Sequence, residues 1–232
     1  SHELKTPVGA LSLLAETIND ASDDPDAVRR FASRMKHEAD RLTSLIQDLI
    51  TLSRIQGAEP LSEPVEVAVD TVVEESLDAV RTAADTKNIE LVSGGAEDVT
   101  VMGDEGLLIT ALRNLVANAV AYSPANTRVA VTVRTTDTTV EISVADQGIG
   151  IPPQDLERIF ERFYRVDAAR SRATGGTGLG LAIVKHIMTL HRGEVTVWSK
   201  EGEGSTFTLR LPRSETPEPP GSTATSDQEA AQ

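Results

Sequence analysis

The sequence predicts an α+β fold, an antiparallel helical hairpin followed by an α/β sandwich. Two observations predict it. Over residues 1–57 the apolar residues recur at helical spacing in two runs, split by the helix-breaking stretch "NDASDDPD". From residue 65 to 213, short alternating segments interleave with helical ones, the pattern of a sheet covered by helices.

In the first run Leu4, Val8, Leu11, Ala15 and Ile18 share one helical face. Pro25 and Asp26 suit the first turn of the second helix, whose stripe is Met35, Leu42, Leu45, Leu49 and Leu52. Two amphipathic helices cannot enclose a core, so two chains are expected to combine their hairpins into a four-helix bundle, giving a homodimer; the alternative is that the hairpin packs against the rest of its own chain. A linker is expected over 58–64, marked by Pro60 and Pro64. Strand patterns follow in "VEVAV", "IELVSG", "VTVMG", "RVAVTVRT", "VEISVAD", "GEVTVWS" and "STFTLRLP", with helices near 70–87, 105–121, 153–162 and 179–191. Trp198 alternates with Val195 and Val197 and reads as a packed residue. Asp104 reads as a helix cap. His191-Arg192-Gly193 reads as a helix stop with positive charge at its C-terminus, and His37 as a solvated residue. The tail, 214–232, has almost no large apolar residue and is expected to be disordered.

Composition narrows the chemistry. Net charge is −14, which disfavours a general affinity for nucleic acid or anionic membrane but leaves room for a local basic pocket. With no cysteine there is neither disulfide nor thiolate chemistry. No apolar run reaches the ~18 residues of a membrane span. The chain opens on Ser1 rather than Met, so it is read as part of a longer protein.

Two glycine runs stand out, "DQGIGIP" at 146–152 after a strand and "GGTGLGLAIVKHI" at 175–187 opening a helix. Glycines let the backbone approach a ligand, and a helix N-terminus favours phosphate. Neither run fits a Walker loop or a dinucleotide fingerprint, because no Lys follows Gly180 and positions 153 and 181 are Pro and Leu. Their surroundings give them weight. Asn114 and Asn118 sit one helical turn apart, so both amides can reach one hard cation, and Mg²⁺ shares oxygen ligands with phosphate. Tyr122 could pack on a base, and Asp146 could accept from an exocyclic amine. Phe160, Phe163, Arg165, Arg170 and Arg172 suit a hinged lid with phosphate-binding forks.

The ordered set "SHELKTP", "NLVANAVAYSP", "DQGIGIP", "IFERFYRVD" and "GGTGLGLAIVKHI" resembles the H, N, G1, F and G2 boxes of sensor histidine kinases, and most of all the actinobacterial phosphate-responsive ones. The resemblance runs from Ser1 to about Arg213. It implies a dimerisation and phosphotransfer hairpin (1–57) and a Bergerat-type ATP-binding domain (65–213). It implies that His2 accepts the phosphoryl group of ATP, Glu3 polarises its imidazole, and Asn114 and Asn118 hold Mg²⁺. Asp146 would read the adenine amino group, and Gly148, Gly150, Gly176, Gly178, Leu179 and Gly180 would line the nucleotide and its lid, with Tyr122, Arg165, Arg170 and Arg172 around it. Thr6, one turn from His2, would orient water for a regulator phosphatase activity. The implied partner is a response regulator whose aspartate receives the group, with the parent protein anchored at the cytoplasmic face of a membrane. In one departure, Ala121 stands where the family often has Lys, so one phosphate contact is absent or comes from a lid arginine instead. Bergerat-fold ATPases of the chaperone or topoisomerase kind typically carry a water-activating Glu four residues before the metal-binding Asn. Here that residue is Asn114, which favours the kinase over the ATPase. A non-catalytic nucleotide-binding scaffold is the third reading.

Overall fold

The computed structural model describes residues 2–21 (side chains from Lys5), 23–56, 61, 63–166 and 176–213. Helices α1 (His2–Asp20) and α2 (Pro25–Gln56) form the expected antiparallel hairpin. Asp24 starts α2, its Oδ1 accepting from the amides of Asp26 and Ala27, both at 3.0 Å. These donors would otherwise be orphaned at a helix start. The Ala27 amide, the larger cause, helps hold the Asp24 carboxyl below its usual range. Pro7 lies inside α1 and is buried.

The sandwich follows as β1 (Val65–Ala68), α3 (Val69–Asp78), α4 (Arg81–Thr86), β2 (Glu90–Gly95), β3 (Thr100–Gly103), α5 (Glu105–Tyr122), β4 (Arg128–Thr135), β5 (Thr139–Asp146), α6 (Gly180–Leu190), β6 (Glu194–Lys200) and β7 (Gly204–Pro212). A five-stranded sheet runs β2-β4-β5-β7-β6, with β2 parallel to β4 and the other pairs antiparallel; β1 and β3 form a separate antiparallel pair. Register aligns Val131 with Val144 and Val144 with Phe207, and likewise Val133, Ile142 and Leu209. Period-2 alternation therefore puts one apolar face against α5 and α6, where Leu108, Leu112, Leu115, Ile183, Ile187 and Met188 are buried. Each such side chain contributes about 1.5–3 kcal/mol on leaving water.

Three expectations change. The helix expected near 70–87 is two, α3 and α4, broken at Ala79–Val80, and the break turns Val80 and Ala84 into the common core. The segment 153–162 holds one 3-10 turn, Pro153–Asp155, and then irregular turns. Pro152 and Pro153 supply no amide protons. The Asp155 side chain is taken by the Tyr164 hydroxyl at 2.5 Å, and Phe160 sits edge-on to Phe207 with centroids 6.5 Å apart. Trp198 is 61% exposed. It pairs with Thr206 on the sheet face that, among the described residues, no helix covers, while Val195 and Val197 take the covered face. Alternation was legible in the sequence, but not which side is buried.

His191 is buried and neutral rather than a helix-end cation. Its Nδ1–H donates to the Ile187 carbonyl at 2.8 Å, and its Nε2 accepts from the Asp104 amide at 3.0 Å. Burial pushes its pKa below the ordinary 6.5, outweighing the Ile187 bond. The unfolded chain therefore takes up the proton first as pH falls below about 6.5. Stability from this site is complete above that pH and declines below it, by at most about 1.4 kcal/mol per pH unit. Urea denaturation at pH 7.5 and 5.5 should show wild type losing more stability than His191→Gln. Equal losses would show that His191 titrates alike in both states.

Candidate functional site

A pocket of about 410 Å³ opens between α5, the segment after β5, the start of α6 and the hairpin. That volume suits a nucleotide-sized ligand. Helix α5 begins on Asp104, whose Oδ1 accepts from the Leu107 amide at 2.9 Å, as the sequence predicts for a cap. From this helix Asn114, Asn118 and Tyr122 face the pocket, all half-buried. Asn114 Nδ2 donates to the Thr110 carbonyl at 2.8 Å, which leaves Oδ1 as the acceptor on the open side.

Asp146 ends β5 at the pocket wall. Its Oδ1 accepts from the Gly148 amide at 2.7 Å and the Ser205 amide at 3.2 Å, so Oδ2 is left for a ligand. Burial raises its pKa, and the two amides only partly offset this. Gly150 lines the pocket in the left-handed region, with φ +69°. Arg165 and Tyr164 form part of the same wall, as do Gly176, Gly178 and Gly180. Phe163 takes a φ of 64° and its amide donates to the Gly178 carbonyl at 2.8 Å, which ties the aromatic segment to the second glycine run. A Cβ on Gly180 would stand 2.8 Å from Asn114 Oδ1, so the free N-terminus of α6 abuts that amide.

Two of the expected pocket residues stand elsewhere. Leu179 is a core residue with no exposure, set at the start of α6 with its amide donating to Thr177 Oγ1 at 3.2 Å. Gly148 is buried behind the wall and acts on Asp146 through its amide. Thr6 is exposed on α1, away from the pocket lining. Arg170 and Arg172, and the side chains of His2 and Glu3, lie outside the described residues.

Sequence reasoning missed Ser205, Ser44 and Asp48, which also line the pocket. Asp48, from α2, accepts from the Thr177 hydroxyl at 2.6 Å, and burial raises its pKa despite that bond. His186 Nε2 lies 2.9 Å from the Ile55 carbonyl, a second link between the hairpin and α6. Leu45, Leu52 and Ile55 thus pack into the sandwich core of their own chain, whereas Val8, Leu13, Ile46, Leu49 and Ile50 stay exposed. No sequence signal marks Asp48, because the Thr177 hydroxyl that it meets lies 129 residues away in the chain.

Comparison with known proteins matches residues 103–215 to the family described as histidine kinase-, DNA gyrase B- and HSP90-like ATPases. Residues 1–58 match the His Kinase A (phospho-acceptor) domain. A solved mycobacterial sensor histidine kinase, MprB, is 33% identical, covering 65% of this chain and 97% of that one with a TM-score of 0.58. The chain belongs to the sensor histidine kinases. The curated sensor-like histidine kinase SenX3 of Mycolicibacterium smegmatis is 54% identical over 218 residues, 94% of this histidine kinase chain and 57% of that protein. The chain therefore spans little more than half the length of that relative. Histidine kinase ThkA, solved in complex with the response regulator protein TrrA, shares the fold at a TM-score of 0.74 and 23% identity, covering 91% of this kinase chain and 59% of that one.

Proposed function

We propose that this chain uses ATP to phosphorylate His2 and passes the phosphoryl group to an aspartate of a response regulator. One observation carries the reading: a single pocket joins the amides of Asn114 and Asn118, the half-buried carboxylate of Asp146 and both glycine turns, in a chain that also matches a phospho-acceptor domain. Asp146 Oδ2 would accept from the adenine amine, and Tyr122 would lie against the base. The free amides at the start of α6 would meet phosphate oxygens. Among the described residues no cluster of three His, Asp or Glu could hold a metal ion alone. A divalent ion at Asn114 and Asn118 would therefore complete its shell from phosphate and water, which fits Mg²⁺. When bound, Mg²⁺ neutralises charge on the phosphate oxygens.

The neutral imidazole of His2 would attack the γ-phosphorus as a nitrogen–phosphorus bond forms and the bond to the bridging oxygen breaks, leaving ADP. Glu3 would accept the other ring proton and fix the tautomer. Arg165, with Arg170 and Arg172, would steady the transferring group. Thr6 would orient water to hydrolyse the regulator's aspartyl phosphate, releasing inorganic phosphate. The exposed apolar residues Val8, Leu13, Ile46, Leu49 and Ile50 of the hairpin support a homodimer through it. Among the described residues no helix is long and apolar enough to cross a membrane. An anchor in the parent protein, which holds this chain at the cytoplasmic face, would lie in other segments.

Incubation with γ-labelled ATP and Mg²⁺ tests the reading. Wild type should gain acid-labile, base-stable label, and His2→Gln should gain none while still binding nucleotide. Steady phosphate release that ignores His2 would make the chain an ATPase instead.

A further inference from the structure

Helix α5 carries the pocket residues Asn114, Asn118 and Tyr122, and its last turn has a shortage of donors. In a helix the Val120 carbonyl would accept from the amide four residues on, but that residue is Pro124, which has none. Ser123 ends the helix in an extended conformation, its own amide serving the Ala119 carbonyl. The missing donors come from another element. The ammonium of Lys87, just past α4, donates to the carbonyls of Val120 at 2.8 Å, Ala121 at 2.7 Å and Ser123 at 3.3 Å. An ammonium has three protons, and all three are used. A cation is also favoured at a helix C-terminus.

This turn abuts the site directly. The Tyr122 carbonyl oxygen stands 2.9 Å from where a Cβ on Gly148 would lie, so the last turn of α5 and the first glycine turn are in contact. The base of the lysine is itself fixed, because the Lys87 carbonyl accepts from the Asn126 amide at 3.1 Å, and Asn88 Nδ2 donates to Asn126 Oδ1 at 2.6 Å.

We infer that Lys87 is a positioning residue for the nucleotide pocket: by supplying the donor that Pro124 lacks and binding two further carbonyls of the turn, it sets where Tyr122 and Asn118 stand relative to Asp146. The inference rests on the nucleotide reading above. It predicts that Lys87→Met weakens Mg-ATP binding on the order of tenfold. Because Lys87 does not line the pocket, the loss should fall on KM, with the labelling rate at saturating ATP unchanged. Lys87→Arg, which keeps charge and donors, should restore most of the affinity. Amide hydrogen exchange at residues 119–123 should quicken in Lys87→Met without nucleotide.

Val133→Ala, a cavity in β4 remote from the pocket, is the control for general destabilisation. Wild-type affinity in Lys87→Met, or an equal loss in Val133→Ala at matched Tm, would overturn the inference. Should wild type itself bind no ATP, the nucleotide reading fails and this one with it. Wild type that binds while Lys87→Met binds equally well removes Lys87 alone.

Discussion

Asp146→Asn is expected to lower affinity for adenine nucleotides by roughly 10²–10³-fold while leaving the fold as stable or more so. An asparagine oxygen can still accept from the Gly148 and Ser205 amides, so the strand end keeps its shape. The other atom becomes a donor, and a donor facing the adenine amine leaves two hydrogens opposed. Stability moves the other way because the native carboxyl has a raised pKa, chiefly from burial. Between about 3.8 and the raised value the folded state holds more protons than the unfolded one, so stability from this group falls as pH rises. Above the raised value its full destabilising cost is present, and the neutral amide removes it. Calorimetric titration with ATP and with GTP, together with Tm at pH 7, checks both signs. A guanine nucleotide offers a carbonyl where adenine offers an amine and should lose little. Unchanged ATP affinity would remove Asp146 from base recognition.

Gly150→Ala should cost about 3–5 kcal/mol and lower Tm by roughly 6–15 °C, with nucleotide binding lost alongside. Gly150 has φ +69°, and a Cβ there would lie 2.1 Å from the Lys200 carbonyl oxygen and 2.6 Å from its carbon. These are backbone atoms, so no side-chain rotation relieves the clash. Moving the β6–β7 turn would break the bond from the Gly202 amide to the Ile149 carbonyl at 2.7 Å and the one from the Ile151 amide to Ser199 Oγ at 2.9 Å. Gly9→Ala is the natural contrast. Nothing lies within 4 Å of its Cβ position, inside α1, and the change should stabilise by about 0.5–1 kcal/mol. Thermal melts of the two variants measure both; a small shift in Gly150→Ala would mean that the turn gives way cheaply.

Most of the pocket was legible because its chemistry lies in short motifs. Asn114 and Asn118 share a face by helical period alone, and a strand ending on Asp146-Gln147-Gly148 brings its glycine amide back to its own carboxylate. Leu179 was misplaced for the same reason that its neighbours were found. Membership of a glycine run says nothing of which way one side chain points, and an apolar one turns to the core. The segment 153–162 carries helical spacing, but Pro152-Pro153, the long-range contact of Phe160 with Phe207 and the Tyr164 bond to Asp155 prevail over it.

The sequence by itself determined the hairpin, the strands, the order of the boxes and the kinds of group available for nucleotide chemistry. All of these follow from local period, capping and backbone freedom, which act over a few residues. Only the tertiary structure decided that His191 is neutral, that Trp198 faces outward, that Asp48 from the hairpin reaches Thr177, and that Lys87 completes α5. Each of these depends on which surface is desolvated and which distant donor meets which acceptor. Such pairings arise from packing between elements 33 to 129 residues apart, and no local pattern encodes them.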